Sequence, residues 1–287
     1  MAQPKAKPAV IVISSHVARG TVGNRAAVFA LESLGFPVWA VPTIMLPWHP
    51  GHGKATRIVP DPKDFAALVS DLGNARWLPE VGAVISGYLG DAAQASAVAG
   101  LVKTVKAASP SALYLCDPVI GDANGLYVNE DVALAIRDKL LPLADVTTPN
   151  RFELAWLTGM PVTDNSAIMK AAQKLGIEQT LVTTAHGMLA GSIGNLFLSP
   201  HLALLAEHRL VDGPSNGLGD LSSALLIAHF LSGQSEERAV KATVASVFEV
   251  MARAAKRSSD ELMLAEDANS LAHPMALVQT RRLVVGK

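Results

Sequence analysis

Ala9-Val10-Ile11-Val12-Ile13-Ser14-Ser15 is a continuous β-branched run that ends in two hydroxyls. A run that is apolar at every position is what a strand covered on both faces requires. The chain then alternates. Asn24–Leu34 has helical spacing and stops at Gly35. Val38–Ile44 reads as a second strand, at an edge or irregular, because Pro42 removes a ladder donor. Residues 45–62, with Pro47, Pro50, Gly51, Gly53, Pro60 and Pro62, read as a long loop or flap. Helix Phe65–Leu72, buried strand Ala83–Tyr88, helix Ala92–Ala108 and strand Ala112–Val119 follow, the last ending in Asp117-Pro118. Next come helix Val132–Leu141, short strand Asp145–Thr148, helix Arg151–Thr158 closed by Gly159, helix Ala167–Leu175 and strand Thr180–Thr184. Ile193–Leu198 and Leu202–Leu210, with no helix between them, form a hairpin. Glu236–Lys256 is a long helix with Val240, Val244, Val247, Phe248 and Met251 on one face. Thr280–Val285 packs at the surface or pairs with a sheet edge. Strands alternating with helices predict an α/β fold, a mostly parallel central sheet with helices on both faces. Without repeats or linkers, residues 1–287 read as a single domain.

The chain has 287 residues, 50% of them hydrophobic and 17% charged, which describes a compact soluble protein and excludes a disordered one. A net charge of −1 without a Lys/Arg cluster argues against nucleic acid as a partner. No window of 18 apolar residues is present, so no membrane span is expected. Cys116 is the single cysteine and suits a reducing compartment. After Lys5 and Lys7 the apolar run is too short for a signal segment, so the expected location is cytoplasmic.

In open parallel sheets ligands sit at the carboxyl ends of the strands. That rule gives weight to Ser15-His16, Gly87-Tyr88, Asp117, Thr148-Pro149-Asn150 and Thr183-Thr184. The stretch Val211 to Leu225 adds Gly217-Leu218-Gly219-Asp220 ahead of an apolar run with helical spacing (Leu221, Ala224, Leu225, Ala228, Leu231). Asp220 therefore falls at or within a turn of a helix start. Such a start offers unpaired N–H groups and about half a positive charge, suited to a phosphate or a developing oxyanion. Glycines there let the backbone approach closely. A carboxylate in an anion site makes sense as a base for a nucleophile attacking phosphate. An ordinary Asp cap after a glycine turn accounts for the motif in isolation.

Asn150 follows a strand, and Glu153 shares its helical face; a capping box is the competing explanation. Asp117 ends a buried strand and needs a partner, which a hydrated cation shared with Glu153 would supply. Tyr88 either stacks on a flat ring or closes the core. Three other patterns fail. Gly51-His-Gly-Lys-Ala-Thr56 lacks the first Gly, the Ser/Thr after Lys54 and a preceding strand of a phosphate loop. Gly217-Leu-Gly-Asp-Leu-Ser222 is one residue short of a dinucleotide fingerprint. His49 and His52 have no second metal-ligating pair near in sequence.

Taken together, Ser15-His-Val-x-x-Gly-x-Val-Gly-Asn24, Gly87-Tyr88, Leu115-Cys-Asp-Pro-Val-x-Gly121 with Asp122, Thr148-Pro-Asn-x-x-Glu153 and Gly217-x-Gly-Asp220 resemble the ribokinase superfamily. Within it they resemble the pyridoxal kinase family. The resemblance implies a three-layer α/β/α ribokinase-like fold and transfer of the ATP γ-phosphoryl group to the 5′-hydroxyl of pyridoxal, pyridoxine or pyridoxamine. It makes Asp220 the base and the N–H groups of Gly217, Leu218 and Gly219 an anion hole. It puts Mg²⁺, with or without a monovalent cation, near Asp117 and Glu153, held directly or through water. Asn150 would lie beside the phosphates, with Asp122 and Tyr127 near them. Thr148, Thr183 and Thr184 would follow the nucleotide, and Ser15, Val22, Ile44, Leu46 and Tyr88 would line the pyridine pocket. Relatives also imply a homodimer.

The chain departs from the family pattern twice. The flap reads His49-Pro-Gly-His52 where His-Thr-Gly-Tyr is usual, which bears on substrate preference. Leu218 replaces the usual Thr of the anion-hole motif, a position that acts through its N–H. The alternatives are a kinase of the same fold for another small alcohol, such as hydroxymethylpyrimidine, and a catalytically weak paralogue that binds B6 vitamers or nucleotide.

Overall fold

The computed structural model describes residues 6–213 and 216–284. Pro214 and Ser215 of the glycine-rich stretch, Val285 of the expected last strand and the first five residues lie outside them. Strand β1 (Ala9–Val17) explains its own composition. Val10 and Val12 face one layer, Ile11 and Ile13 the other, and all four have 0% exposure. On the first face they meet α1 (Asn24–Ser33), α7 (Leu218–Leu231) and α8 (Glu236–Lys256). On the second they meet α2 (Pro62–Gly73), α3 (Ala92–Ala108) and α4 (Glu130–Ala135). The expected three layers are therefore present.

The remaining strands are β2 (Val38–Leu46), β3 (Val81–Ser86), β4 (Leu113–Cys116), a small ribbon of β5 (Gly121–Asp122) and β6 (Gly125–Leu126), β7 (Val146–Thr147), β8 (Gln179–His186), β9 (Ser192–Leu198), β10 (Ala203–Arg209) and β11 (Gln279–Arg282). Outside the ribbon they form one sheet in the order β2-β1-β3-β4-β7-β8-β9-β10-β11. From β2 to β8 neighbours run parallel; β8 to β11 alternate. The chain leaves β1 toward β2 and returns on its other side as β3. That reversal opens a crevice at the carboxyl ends of the strands, where ligands of such sheets bind. Over the antiparallel end, α5 (Arg151–Thr158) and α6 (Asn165–Leu175) cover a smaller cluster that includes Leu154, Ile168, Val182 and Leu205.

Several boundaries differ from expectation. Strand β2 is the edge strand that Pro42 implied, but it runs on to Leu46, and Met45 bridges Ile58, so the flap starts as a continued strand. Strand β4 stops at Cys116 because Pro118 has no N–H to donate and Asp117 turns toward the crevice. Helix α4 is shorter than 132–141 and widens into a π turn at Ile136–Leu140. The tail segment takes the sheet-edge option: β11 pairs with β10, and Arg281 meets the buried Glu207 at 3.2 Å. The β5–β6 ribbon and α9 (Ala268–Ala272) had no counterpart in the sequence reading. No described helix is long and apolar enough to cross a membrane.

Candidate active site

A cleft of about 590 Å³ opens at the strand ends. Its lining contains Asp220, Gly217, Leu218 and Gly219 from the start of α7, and Ser15, Val22, Ile44, Leu46 and Tyr88 at one end. It also contains Asp117, Asp122, Tyr127, Thr148, Asn150, Glu153, Thr183 and Thr184. The residues to which the resemblance gave a role thus reach one cavity, although they come from segments spread over two hundred positions; of the strand-end residues, His16, Gly87 and Pro149 do not line it. His16 lines a separate pocket with Asn24 and Arg25.

Asp220 is the third residue of α7, after the cap Gly217 at φ 82°. A Cβ on Gly217 would collide with the Thr21 carbonyl oxygen, so glycine is required for both dihedral and space. The first main-chain bond of the helix runs from Leu221 N–H to Gly217 O at 3.0 Å. The N–H groups of Leu218 and Gly219 therefore lie outside the helix ladder and at its positive end. Asp220 Oδ2 accepts the Gly23 N–H at 2.8 Å. Burial pushes the Asp220 carboxyl up to about 6, while Gly23 N–H and the Ser14 hydroxyl pull it back.

Asp117 is 5% exposed, and its Oδ2 accepts the Ser223 hydroxyl at 3.0 Å. Ser223 in turn lies 2.8 Å from the Thr148 hydroxyl, so one chain of hydroxyls joins β4, β7 and α7. Burial and then the charge of Asp220 push Asp117 up to about 7; the two hydroxyls offset part of that. Asn150 and Glu153 do form a capping box: Asn150 Oδ1 accepts Glu153 N–H at 2.9 Å, and Glu153 Oε2 accepts Asn150 N–H at 2.8 Å. Glu153 Oε1 also accepts Ile120 N–H at 3.0 Å, and Asn150 Nδ2 donates to Gly121 O at 2.8 Å. Burial and Asp117 still hold the Glu153 carboxyl well above its ordinary range.

Among the described residues no three His, Cys, Asp or Glu side chains converge as a ready metal cluster. The donor set nevertheless suits a hard cation. Asp220 raises Asp117 and Asp117 raises Glu153, so negative charge gathers there, and what offsets it is hydroxyls and main-chain N–H groups. Tyr127, half exposed, has its phenol raised by burial of the hydroxyl end and then by Glu153, Asp117, Asp220 and Asp122. Cys116, behind Asp117, is fully buried and pushed up to about 12, so it is no nucleophile.

Strand β8 breaks its ladder where the cleft begins. The register slips between Val182 and Ala185, and Thr184 adopts φ 56°. Thr183 N–H donates to Pro149 O at 2.9 Å, and Thr184 Oγ1 accepts Arg151 N–H at 3.3 Å. At the other end, Tyr88 N–H donates to Ser14 Oγ at 3.2 Å. Sequence reasoning gave no role to Ser14, to Ser223 or to Gly23, although Gly23 stands in the motif after β1, and it missed the wall formed by Ile193, Asn195, His208 and Phe248. His208 stacks on Phe248 with ring centroids 4.3 Å apart. A signal existed for Ser223, which lies one helical turn after Asp220 on the same face.

The phosphomethylpyrimidine kinase family matches residues 78–263. The chain is 36% identical over 281 residues to the pyridoxal kinase PdxY of Rubrobacter xylanophilus, covering 96% of this chain and 97% of that one. It is 37% identical to the pyridoxal kinase PdxY of Granulibacter bethesdensis, over 88% of this chain and 92% of that one. The chain belongs to the pyridoxal kinase family. Its fold is that family's too: the Leishmania donovani pyridoxal kinase solved with ADP and pyridoxamine superposes with a TM-score of 0.90 at 27% identity, covering 96% of this chain and 100% of that one. The same Leishmania enzyme has been solved with ADP and pyridoxine, at the same TM-score of 0.90. The mostly parallel central sheet with helices on both faces is therefore the ribokinase-like fold that the motifs implied.

Proposed function

We propose that the protein transfers the γ-phosphoryl group of ATP to the 5′-hydroxyl of pyridoxal, pyridoxine or pyridoxamine, a B6 salvage step carried out in the cytoplasm by one domain. The observation that carries this is Asp220 at the positive start of α7, with its carboxylate pinned by Gly23 and its pKa lifted to about 6. A carboxylate at that value is ionised at neutral pH, yet a better proton acceptor than an ordinary Asp. It orients the vitamer hydroxyl and takes its proton as the oxygen bonds to phosphorus, while the bond from phosphorus to the ADP oxygen breaks. The N–H groups of Leu218 and Gly219 face the oxygens of the moving group, a fixed set of donors where charge develops. Gly217, as the cap, places them.

Ser15, Val22, Ile44, Leu46 and Tyr88 enclose the pyridine ring. Thr148, Thr183 and Thr184 follow the nucleotide, with Asn150, Asp122 and Tyr127 toward its phosphates; Ile193, His208 and Phe248 form the wall for the base. Asp117 and Glu153 would hold Mg²⁺, directly or through water, with the Glu153 oxygens already accepting main-chain N–H groups. When bound, Mg²⁺ neutralises phosphate charge and aligns the transferring group. The resemblance supports a homodimer as the working assembly.

The test is ADP release from Mg·ATP with pyridoxal, pyridoxine, pyridoxamine and hydroxymethylpyrimidine in turn. Turnover on the B6 vitamers is expected. Turnover on hydroxymethylpyrimidine alone would show that the altered flap selects another alcohol.

A further inference from the structure

Glu261 lies in the C-terminal segment and is 8% exposed. Its Oε2 accepts the Thr21 main-chain N–H at 3.2 Å and the Thr21 hydroxyl at 3.4 Å, and its Oε1 lies 2.8 Å from His52 Nε2. Gly20, at φ 104°, makes room for this approach, since a Cβ there would overlap the carboxylate. Asp260 beside it pairs with Arg19 at 2.9 Å. The tail that carries both acids is itself anchored. Asp267, fully buried, takes Arg257 at 2.6 and 2.8 Å, and Glu249 accepts Ser270 Oγ at 2.9 Å.

The two segments joined by Glu261 are those that bound the reacting centre. Thr21 precedes Val22, which lines the cleft, and Gly23, whose N–H holds Asp220. His52 ends the short turn Pro50–His52, and Pro50 with His49 lines the same cleft. A buried carboxylate needs donors, and the Thr21 groups would satisfy one oxygen without any help from the flap. We infer that Glu261 is a positioning residue: through His52 it latches the flap to the loop that orients Asp220, so that enclosing the vitamer and aligning the base become one event. This rests on the kinase reading above.

The test compares wild type, His52→Ala, Glu261→Ala, Glu261→Gln and the His52→Ala/Glu261→Ala double variant. His52→Ala raises the vitamer KM roughly ten-fold with little change in kcat, the scale of one charge-assisted hydrogen bond. Glu261→Ala raises KM and lowers kcat, because it frees the Thr21 loop as well. Glu261→Gln keeps an oxygen for Thr21 and a nitrogen for His52, and restores KM to within a few-fold of wild type. The double variant has a KM close to that of Glu261→Ala alone, since His52 meets Glu261 at 2.8 Å and its other acid, Asp260, only at 3.9 Å. A residue that served folding only would lower the active fraction and leave KM where it was. Unchanged KM in His52→Ala, or additive effects in the double variant, would overturn the latch. Amide exchange of residues 47–58 on the same proteins keeps the two readings apart. A wild type inert toward every vitamer contradicts the kinase, whereas flap exchange unaltered by His52→Ala contradicts the latch whatever the activity.

Discussion

Asp220 Oδ2 accepts the Gly23 main-chain N–H at 2.8 Å, a bond between residues 197 positions apart. It ties the start of α7 to the loop after β1, which sits at the strand reversal that opens the crevice. The base is therefore held in part by backbone, which has little freedom to move, with the Ser14 hydroxyl beside it.

Gly23 should tolerate no side chain. It has φ 58°, and a Cβ would strike the carbonyl oxygen and hydroxyl of Ser15. Gly23→Ala is expected to cost about 1–3 kcal/mol in denaturant melts, the scale of a residue forced into an unfavourable backbone region. Its kcat should fall further than the loss of folded protein explains, because the backbone shift that the Cβ forces carries the residue-23 N–H away from Asp220.

Ser223→Ala removes the hydroxyl between Asp117 and Thr148. The carboxylate keeps its burial and loses its nearest donor, so roughly a ten-fold fall in kcat/KM is expected, in line with a lost hydrogen bond to a charged group. A raised Mg²⁺ requirement should accompany it, read from the rate as a function of Mg²⁺. An unchanged Mg²⁺ curve would show that the hydroxyl does not set the cation site.

Asp117 makes the metal-free protein's stability depend on pH. Its carboxyl is held near 7 against an ordinary 3.8. A raised native pKa gives a contribution that is complete below the ordinary value and is lost as pH rises through the native one. Asp117→Asn removes that loss. In melts without divalent cation the variant should exceed wild type at pH 8 by up to about 4 kcal/mol, and the advantage should shrink below about 1 kcal/mol at pH 4. A variant less stable than wild type at pH 8 would contradict the assignment.

Thr184 holds a left-handed backbone without being glycine. Thr184→Gly should relieve roughly 1 kcal/mol of strain, partly offset by the greater freedom of glycine in the unfolded chain. Nucleotide affinity should weaken, because the hydroxyl that accepts Arg151 N–H would be gone. Equilibrium titration with ADP reads the second effect and chemical denaturation the first.

Several of the residues that sequence reasoning found are polar groups at or just past the end of a strand, whereas Val22, Ile44 and Leu46 came through the family resemblance. Asp117 stands out after Leu115-Cys116 because burial makes an unpaired polar group costly, and Asn150 stands out because it follows a strand and Pro149, with Glu153 three residues on. Asp220 stands out through its glycines. Ser223, Asn195 and His208 carry no such contrast, since their neighbours in the site arrive through packing of α7 and α8 across the sheet. Val244, Val247, Phe248 and Met251 were legible as a buried helical face, but periodicity says which face is covered and not by what. Here part of that face borders the cleft. The ribbon Gly121–Leu126 was invisible because its strands have two residues each, too short for any period. The bond between His52 and Glu261 joins positions that nothing in the local sequence relates.

The central claim is that Asp220 is the base of an alcohol phosphotransferase. Its most direct test is kcat of Asp220→Asn against wild type on pyridoxal at saturating Mg·ATP, with vitamer affinity measured on both proteins. Loss of a positioned proton acceptor predicts a fall of roughly 10³-fold in kcat with vitamer affinity within a few-fold of wild type. A variant that turns over within ten-fold of wild type would contradict the account.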